Sequence, residues 1–569
     1  MLILGVNALF HDPAAALISD GRVVAAAEEE RFSRRKHGKR PVPFSAWELP
    51  ERAAAWCLEQ AGVRPQDLDA VGYSFDPALS APADRLGLDD PWDHLRIRYA
   101  REAPGFLAEA LPGLDREQVK FVPHHLAHAA SAAFAADLAD TPLGAGGASG
   151  PADPCSVLVL DGRGESASHL AARRVGRELQ PLFAQALPHS LGLFYEELTE
   201  HLGFLRSSDE YKVMALAAHG RPRMLAELRR HVHATGDGGF AAHGVPWQEL
   251  SPPRAPGEPW TPVHADLAAS AQAVLEEVLL DLVRWLHGRT GDRVLTLAGG
   301  VALNCVANSR IAREGPFDAV WAQPASGDAG TALGAAAHLA ALGGEDPLPM
   351  PGADLGRGWS DAEIQAWLKT AAVPFELPPG PDALADAVAR TLAENGIVAW
   401  FQGRSEYGPR ALGHRSLLAH PGHAGNLERL NDVKGREQFR PVAPMVRAGR
   451  AAELFSEGPV PSPYMLFTHR VAERWRERIP AVVHVDGTAR IQTVDPAREP
   501  LLDALLGRFE QLTGLPVLVN TSLNTAGRPM VDDPRDALEC FGSAPVDLLV
   551  LGPCLIRRGE LFAGNGGQR

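Results

Sequence analysis

Cysteine is scarce in this chain of 569 residues: Cys57, Cys155, Cys305, Cys540 and Cys554 are odd in number and show no CxxC spacing. That pattern argues against a disulfide framework or a zinc ribbon, and a reducing cytoplasm is the expected location. Apolar runs of membrane-spanning length are missing too, and the N-terminus opens into a strand pattern rather than a charged segment and an apolar core. Positive charge is short: 55 Lys and Arg face 70 Asp and Glu, a balance of −15. Nucleic-acid and membrane-surface proteins usually carry a basic footprint, so neither partner is expected. What remains, 45% apolar and 22% charged, describes a soluble α/β protein too long for one core.

The most informative stretch is FVPHHLAHAASAAF, residues 121–134. Beyond Pro123 it is Ala-rich and free of Gly and Pro, so a helix is expected. His124 and His128, four apart, then share one face and can reach one metal ion, while His125 is turned about 100° away. Two carboxylates stand where a site would need them. Asp161 ends the apolar run of SVLVLDGRGE, and Asp328 sits in the small-residue turn ASGDAGTALGAA. Strand ends and Gly-rich turns are where α/β folds place functional groups. Two His and two Asp suit iron, manganese or zinc better than calcium.

The opening reads as a strand, a polar turn, a second strand, a turn at Asp20-Gly21 and a third strand. A related layout recurs near residue 155. Such a loose repeat, with helical segments between, is what an actin-like fold of two RNase-H-like halves would produce. His11 and Asp12 lie at the first turn, where the pair can orient or deprotonate a hydroxyl. The charge-dense stretch EEERFSRRKHGKR, residues 28–40, reads as a strand end and loop in which Lys36 is a candidate anion contact. RVLTLAGGVALNCVANSRI, residues 293–311, runs a strand into Gly299-Gly300 and a helix. That turn lets backbone amides approach a phosphate or ribose, so Gly299, Gly300 and Asn304 are candidate nucleotide contacts.

Residues 343–360 are rich in Gly and Pro and read as a connector. Beyond it the charge balance inverts locally. Between residues 404 and 450 stand Arg404, Arg410, Arg415, Arg429, Lys434, Arg436, Arg440, Arg447 and Arg450, against Glu406, Glu428, Asp432 and Glu437. The excess marks a pocket for anions, since arginine forks grip phosphate oxygens and lysine supplies a point charge. Arg490, and Asn520 with Ser522 just past a buried strand, are further candidates for holding substrate.

Together HHLAHAASA, LDGRGE, EYKVMALAAHG, LAGGVALN, GPRALGHRSLL, KGREQFRPVAP and LVNTSLN resemble, in the same order, the O-carbamoyltransferases of antibiotic biosynthesis and nodulation-factor synthesis. The resemblance implies an actin-like N-terminal domain, residues 1–345, a linker at 346–360, and a YrdC-like C-terminal domain, residues 361–569. It implies that ATP, with Mg, and carbamoyl phosphate form carbamoyl-adenylate in the second domain, using Arg410, Lys434, Arg440, Arg490 and Ser522. The carbamoyl group would then pass to a hydroxyl of a natural-product acceptor in the first domain. There His124, His128, Asp161 and Asp328 match the metal ligands and His11 matches a histidine beside the acceptor. Acceptor contacts are expected in the variable region 76–120, and residues 138–154 read as a long inserted loop. Two rivals are an actin-fold small-molecule kinase and a non-catalytic nucleotide-binding scaffold. Assembly is open, a homodimer being one option.

Overall fold

A computed structural model of the chain describes residues 1–38 and 48–559. It divides into two compact units, Met1–Gly352 and the remainder from Ala353. The first unit opens with β1 (Leu2–Asn7), β2 (Ala14–Ser19) and β3 (Arg22–Glu28), later joined by β4 (Ala70–Tyr73) and β5 (Val119–Phe121) in the order β3-β2-β1-β4-β5. β1 to β3 pair antiparallel, while β4 lies parallel to β1 and β5 parallel to β4. The β2–β3 hairpin turns at Asp20 (φ 49°) and Gly21 (φ 74°), the left-handed pair that a tight hairpin demands.

The second sheet repeats this plan. β6 (Cys155–Leu160), β7 (Ala167–Val175) and β8 (Glu178–Ala186) form an antiparallel meander. After a small hairpin, β9 (Val232–Ala234) with β10 (Phe240–Ala242), come β11 (Val294–Ala298) and β12 (Ala319–Ala322). Their order is β12-β11-β6-β7-β8, with β11 parallel to β6 and to β12. Three antiparallel strands followed by two parallel ones, twice over, is the actin-like arrangement of two RNase-H-like halves, and the unit has that fold.

Two helices bind the halves together, and small residues set their separation. At Gly5 of β1 a Cβ would lie 1.8 Å from the carbonyl of Ala332, on the Ala329–Leu342 helix. At Gly334 a Cβ would lie 1.7 Å from the carbonyl of Ala127, on the His124–Ala133 helix. Neither contact admits a side chain, so these backbones touch.

The second unit is built on a mixed seven-stranded sheet, β19-β15-β20-β14-β13-β21-β22. Its strands are β13 (Val398–Phe401), β14 (Arg415–Ala419), β15 (Ala443–Arg447), β19 (Gln492–Val494), β20 (Val517–Ser522), β21 (Leu548–Leu551) and β22 (Cys554–Arg557). A small sheet beside it holds β16 (Phe455–Ser456), β17 (His469–Val471) and β18 (Thr488–Ala489). The apolar strands of the main sheet and the Pro381–Ala393 and Pro500–Thr513 helices share one buried core. No described helix is long and apolar enough to cross a membrane.

Several elements differ from expectation. Where a loop was expected after β3, residues Glu30–Ser33 form a helical turn whose Arg31 is buried between Glu28 and Glu30. Residues 39 and 40 of that stretch lie outside the described residues. The Gly/Pro-rich segment is not bare chain. Met350 N–H donates to the Ala135 carbonyl in the first unit, and Leu355 and Gly356 accept from Arg404 in the second. The loop at 138–154 is closed at its base, where Asp137 accepts from the amides of Ala139 and Gly150.

Candidate metal centre and lysine pocket

The helical spacing and the strand end place four side chains together in the first unit. His124 Nε2 lies 3.4 Å from Asp161 Oδ2 and 3.6 Å from Asp328 Oδ1. His128 Nε2 lies 3.9 and 3.5 Å from the same two atoms. All four are buried, and one ligand atom from each falls within 4.8 Å of the others. These separations are longer than ordinary hydrogen bonds, and both Nε2 atoms are buried without a hydrogen-bond partner. Ligand atoms about 2.0–2.2 Å from a common ion stand at roughly such distances from one another. The donor set therefore fits a divalent transition metal. His124 Nδ1 sits 3.1 Å from the Ser74 carbonyl, which only accepts, so that nitrogen keeps its proton and Nε2 is the one that would give up its own to an ion. Burial opposes charge on His124, yet Asp161 and Asp328 outweigh it and hold its pKa well above the ordinary value. His125, turned away, is pushed down to about 3 by burial and by its histidine neighbours.

The surrounding residues aim these ligands. Glu165 accepts the first amide of the His124 helix at 2.8 Å and the Asp76 amide at 2.9 Å. Gly299, at φ 87°, brings the chain so close to β6 that a Cβ would lie 2.2 Å from the Leu160 carbonyl. Gly300 N–H then donates to Asp161 Oδ1 at 3.0 Å. That amide, read from sequence as open to a phosphate, is thus spent on orienting a carboxylate of the quartet. Asn304 is committed too: its Oδ1 caps the Cys305–Glu314 helix through Ala307 N–H, and its amide pairs with Gln272.

Beside the quartet lies a second group. His11 Nδ1 is 2.9 Å from Asp12 Oδ2, and His37 Nδ1 is 2.7 Å from Asp12 Oδ1. Burial would raise the Asp12 pKa, but the two rings draw it well below the usual range. Burial likewise opposes charge on His11, while Asp328, Asp12 and Asp161 lift its pKa. Lys36 stands over the Tyr211 ring, 5.9 Å from its centre. His37 was missed in the sequence, because only folding of β3 carries it back to Asp12, 25 residues earlier.

In the second unit, polar side chains converge on the end of β20. Asn520 donates to the Ala411 carbonyl at 3.0 Å and to Gln492 at 2.8 Å, tying the turn after Arg410 to the strand that follows Arg490. Two residues on, on the same face of β20, Ser522 meets Lys434. Lys434 Nζ donates to the Ser522 carbonyl at 2.5 Å and hydroxyl at 2.9 Å, and to the Asn524 side chain. Arg490 Nε and Asn520 Oδ1 are buried without hydrogen-bond partners. Arg440 faces Glu437 at 3.5 Å. Glu406 shapes the GPRALGHRS turn by accepting the Leu412, His414 and Arg415 amides.

The local excess of arginine overstates this pocket. Arg415 is fully buried, donates to four carbonyls and lies over Phe401. Arg404 and Arg429 also bind carbonyls, Arg436 binds Asn431, Arg447 pairs with Asp503, and Arg450 pairs with Glu453 and Glu510. Most of these partners lie far along the chain, where a count of neighbouring acids cannot see them.

An actin-like core carrying a His/Asp cluster, followed by an α/β unit with a buried lysine pocket, defines a two-unit enzyme architecture. Family models described as carbamoyltransferase N-terminus and C-terminus match residues 2–78, 107–242 and 248–337, and residues 389–558. The chain belongs to the carbamoyltransferase family and is a transferase. It is 37% identical to the uncharacterised protein sll1178 of Synechocystis, over 96% of this chain and 95% of that one. It is also 37% identical to the nodulation protein NolNO of Sinorhizobium fredii, over 97% of this chain and 80% of that one. Among solved structures, the activator of the 2-hydroxyisocaproyl-CoA dehydratase from Clostridium difficile aligns with 60% of this chain and 97% of its own, at 11% identity and a TM-score of 0.31.

Proposed function

We propose that this protein is an ATP-dependent O-carbamoyltransferase. The unit beginning at Ala353, which we read as YrdC-like, hydrolyses carbamoyl phosphate to carbamate and phosphate, and the carbamate oxygen then attacks the α-phosphorus of ATP, releasing pyrophosphate and leaving carbamoyl-adenylate. The first unit transfers the carbamoyl group to a hydroxyl of a small natural product. Carbamate is a poor electrophile and decomposes in water, so activation as a mixed anhydride with AMP and a dry site both serve the reaction.

Within the second unit, Lys434, fixed on Ser522 and Asn524, is a point charge for phosphate oxygens, and Arg410, Arg440 and Arg490 add donors. In the first unit, His124, His128, Asp161 and Asp328 would hold a divalent metal, iron being our first choice, to clamp the AMP phosphate and polarise the carbamoyl group. With the charge of Asp161 and Asp328 offset by the ion they would hold, His11 is neutral and, keyed by Asp12, takes the proton of the attacking hydroxyl. The hydroxyl oxygen bonds to the carbamoyl carbon, and the carbon–oxygen bond to AMP breaks with its electron pair going to the phosphate.

Acceptor recognition falls to residues 79–106, which the N-terminal family model leaves unmatched. This segment is fastened to the site from two sides. Arg163, two residues past Asp161, pairs with Asp90 at 3.1 Å and Asp93 at 2.8 Å. Arg96 lies over the ring of Phe10, which meets His124 edge-on and adjoins His11. Trp92, beside Asp93, remains exposed and offers a ring face to an acceptor.

The reading is carried by the quartet of buried, hydrogen-bond-free ligand atoms spaced for an ion, in a chain of this family. Its test is incubation of the purified protein with ATP, carbamoyl phosphate and a panel of hydroxylated natural products. The expected result is pyrophosphate release and a product heavier by one carbamoyl group. A gain of phosphate instead would show kinase action, and no product with ATP bound would show a scaffold.

A further inference from the structure

The carboxylate of Asp12 does not serve His11 alone. One oxygen takes His11 Nδ1 at 2.9 Å and the other takes His37 Nδ1 at 2.7 Å, with the ring centres 6.3 Å apart. An ionised carboxylate only accepts, so both rings carry their proton on Nδ1 and both present Nε2. Asp12, Glu30 and His37 are close enough to suggest a cation site. The direct His37–Asp12 contact, however, leaves no room for an ion between those two atoms.

The backbone is bent to make this array. Phe10 (φ 61°), Asp12 (φ 51°) and His37 (φ 61°) are all left-handed, a conformation that costs a non-glycine residue free energy and persists only where its surroundings enforce it. His37 is held a third way, because its N–H donates to Glu30 Oε2 at 2.9 Å on the turn that follows β3. Its Nε2 is buried and makes no hydrogen bond among the described residues. The left-handed backbone and the Glu30 contact fix the main chain of His37, and the Nδ1 contact fixes its ring. They fix where Asp12 points, and through Asp12 they fix the ring of His11.

We infer that His37 is a positioning residue for carbamoyl transfer, the third member of a His11–Asp12–His37 array in which its Nδ1–H holds the Asp12 carboxylate in register with His11. It rests on the proposed function for the role of His11, and on the geometry alone for the array. With His37 removed, Asp12 is free to rotate, and the His11 Nε2 that receives the hydroxyl proton loses its fixed aim.

The test uses the full chain and side chains that imitate one nitrogen at a time. Asparagine places its amide near the position of Nδ1, and glutamine places its own near Nε2. Transfer to whichever panel compound the wild type carbamoylates, divided by pyrophosphate released, should fall about 10- to 100-fold in His37→Ala and His37→Gln. His37→Asn should restore it to within about 3-fold. Unchanged transfer in His37→Ala, or a His37→Asn variant as poor as His37→Ala, would overturn the inference, the latter by assigning the work to Nε2. A second measurement needs neither substrate nor adenylate. In protein labelled with 15N-histidine, Asp12→Asn should shift the ring signals of both His11 and His37, identified by their loss in His11→Asn and His37→Asn. Movement of one ring only would refute the array. Absence of pyrophosphate release from the wild type would instead count against carbamoyl-adenylate formation and leave the 15N result standing.

Discussion

The two candidate sites hold charge in opposite ways. In the first unit, two imidazoles and two carboxylates are buried within ion-binding distance and make no hydrogen bonds with one another. In the second, the Lys434 ammonium is already gripped by a carbonyl, a hydroxyl and an amide oxygen. An arrangement completed by a cation tolerates unsatisfied ligand atoms, because the ion supplies what is missing. An arrangement that must accept and release phosphates keeps its cation anchored on neutral groups, so that it stays charged and in place between turnovers. Under the proposed function, the first would hold a resident ion and the second would receive passing anions.

Breaking the second site should give the largest effect. Lys434→Ala is expected to lower pyrophosphate release by about 10³-fold, the scale of losing a charge from a desolvated phosphate clamp, with metal content unchanged. Next comes the quartet. Asp328→Asn should weaken metal binding by more than about 10²-fold, read by elemental analysis after dialysis, because an amide oxygen is a poor substitute for a carboxylate.

A pH titration sharpens the contrast further. Burial opposes charge on His414, yet its 3.0 Å contact with Glu499 and the nearby Glu406 raise its pKa to about 9. A value raised above that of the unfolded chain gives stability that is complete below about pH 6.5 and fades as pH climbs through about 9. The contribution is about 3–4 kcal/mol at most. His414→Gln should remove that dependence from chemical denaturation of the second unit between pH 6 and 9.5. The smallest effect is expected at the rim of the first site. Arg163→Ala removes one of the two arginines that hold Asp90 and Asp93, leaving Arg96, and should raise the acceptor KM about 10-fold without altering pyrophosphate release.

The fold of the first unit was readable in the sequence because its signals are local. Strand–turn–strand patterns near residues 1 and 155, the Asp20-Gly21 turn and the i, i+4 histidines each need only a short window. Asp161 and Asp328 were legible from their places at a strand end and in a small-residue turn. Other features depend on long-range partners. Arg415 is a framework residue because carbonyls from Arg357 to His414 surround it, and nothing in GPRALGHRS says so. Asn304 reads as a ligand contact until Gln272, from the long Pro262–Thr290 helix, claims its amide. His37 joins Asp12 only after the β2–β3 hairpin has folded. Side-chain chemistry is printed in the sequence, but which groups are already occupied is decided by tertiary structure.

The division of labour can be tested most directly by measuring pyrophosphate release and carbamate product together in Asp328→Asn and Lys434→Ala, each supplied with ATP, carbamoyl phosphate and a productive acceptor. We predict that Asp328→Asn keeps releasing pyrophosphate, in a manner dependent on carbamoyl phosphate, while making no carbamate, and that Lys434→Ala does neither. Loss of pyrophosphate release in Asp328→Asn, or its retention in Lys434→Ala, would contradict two separate sites.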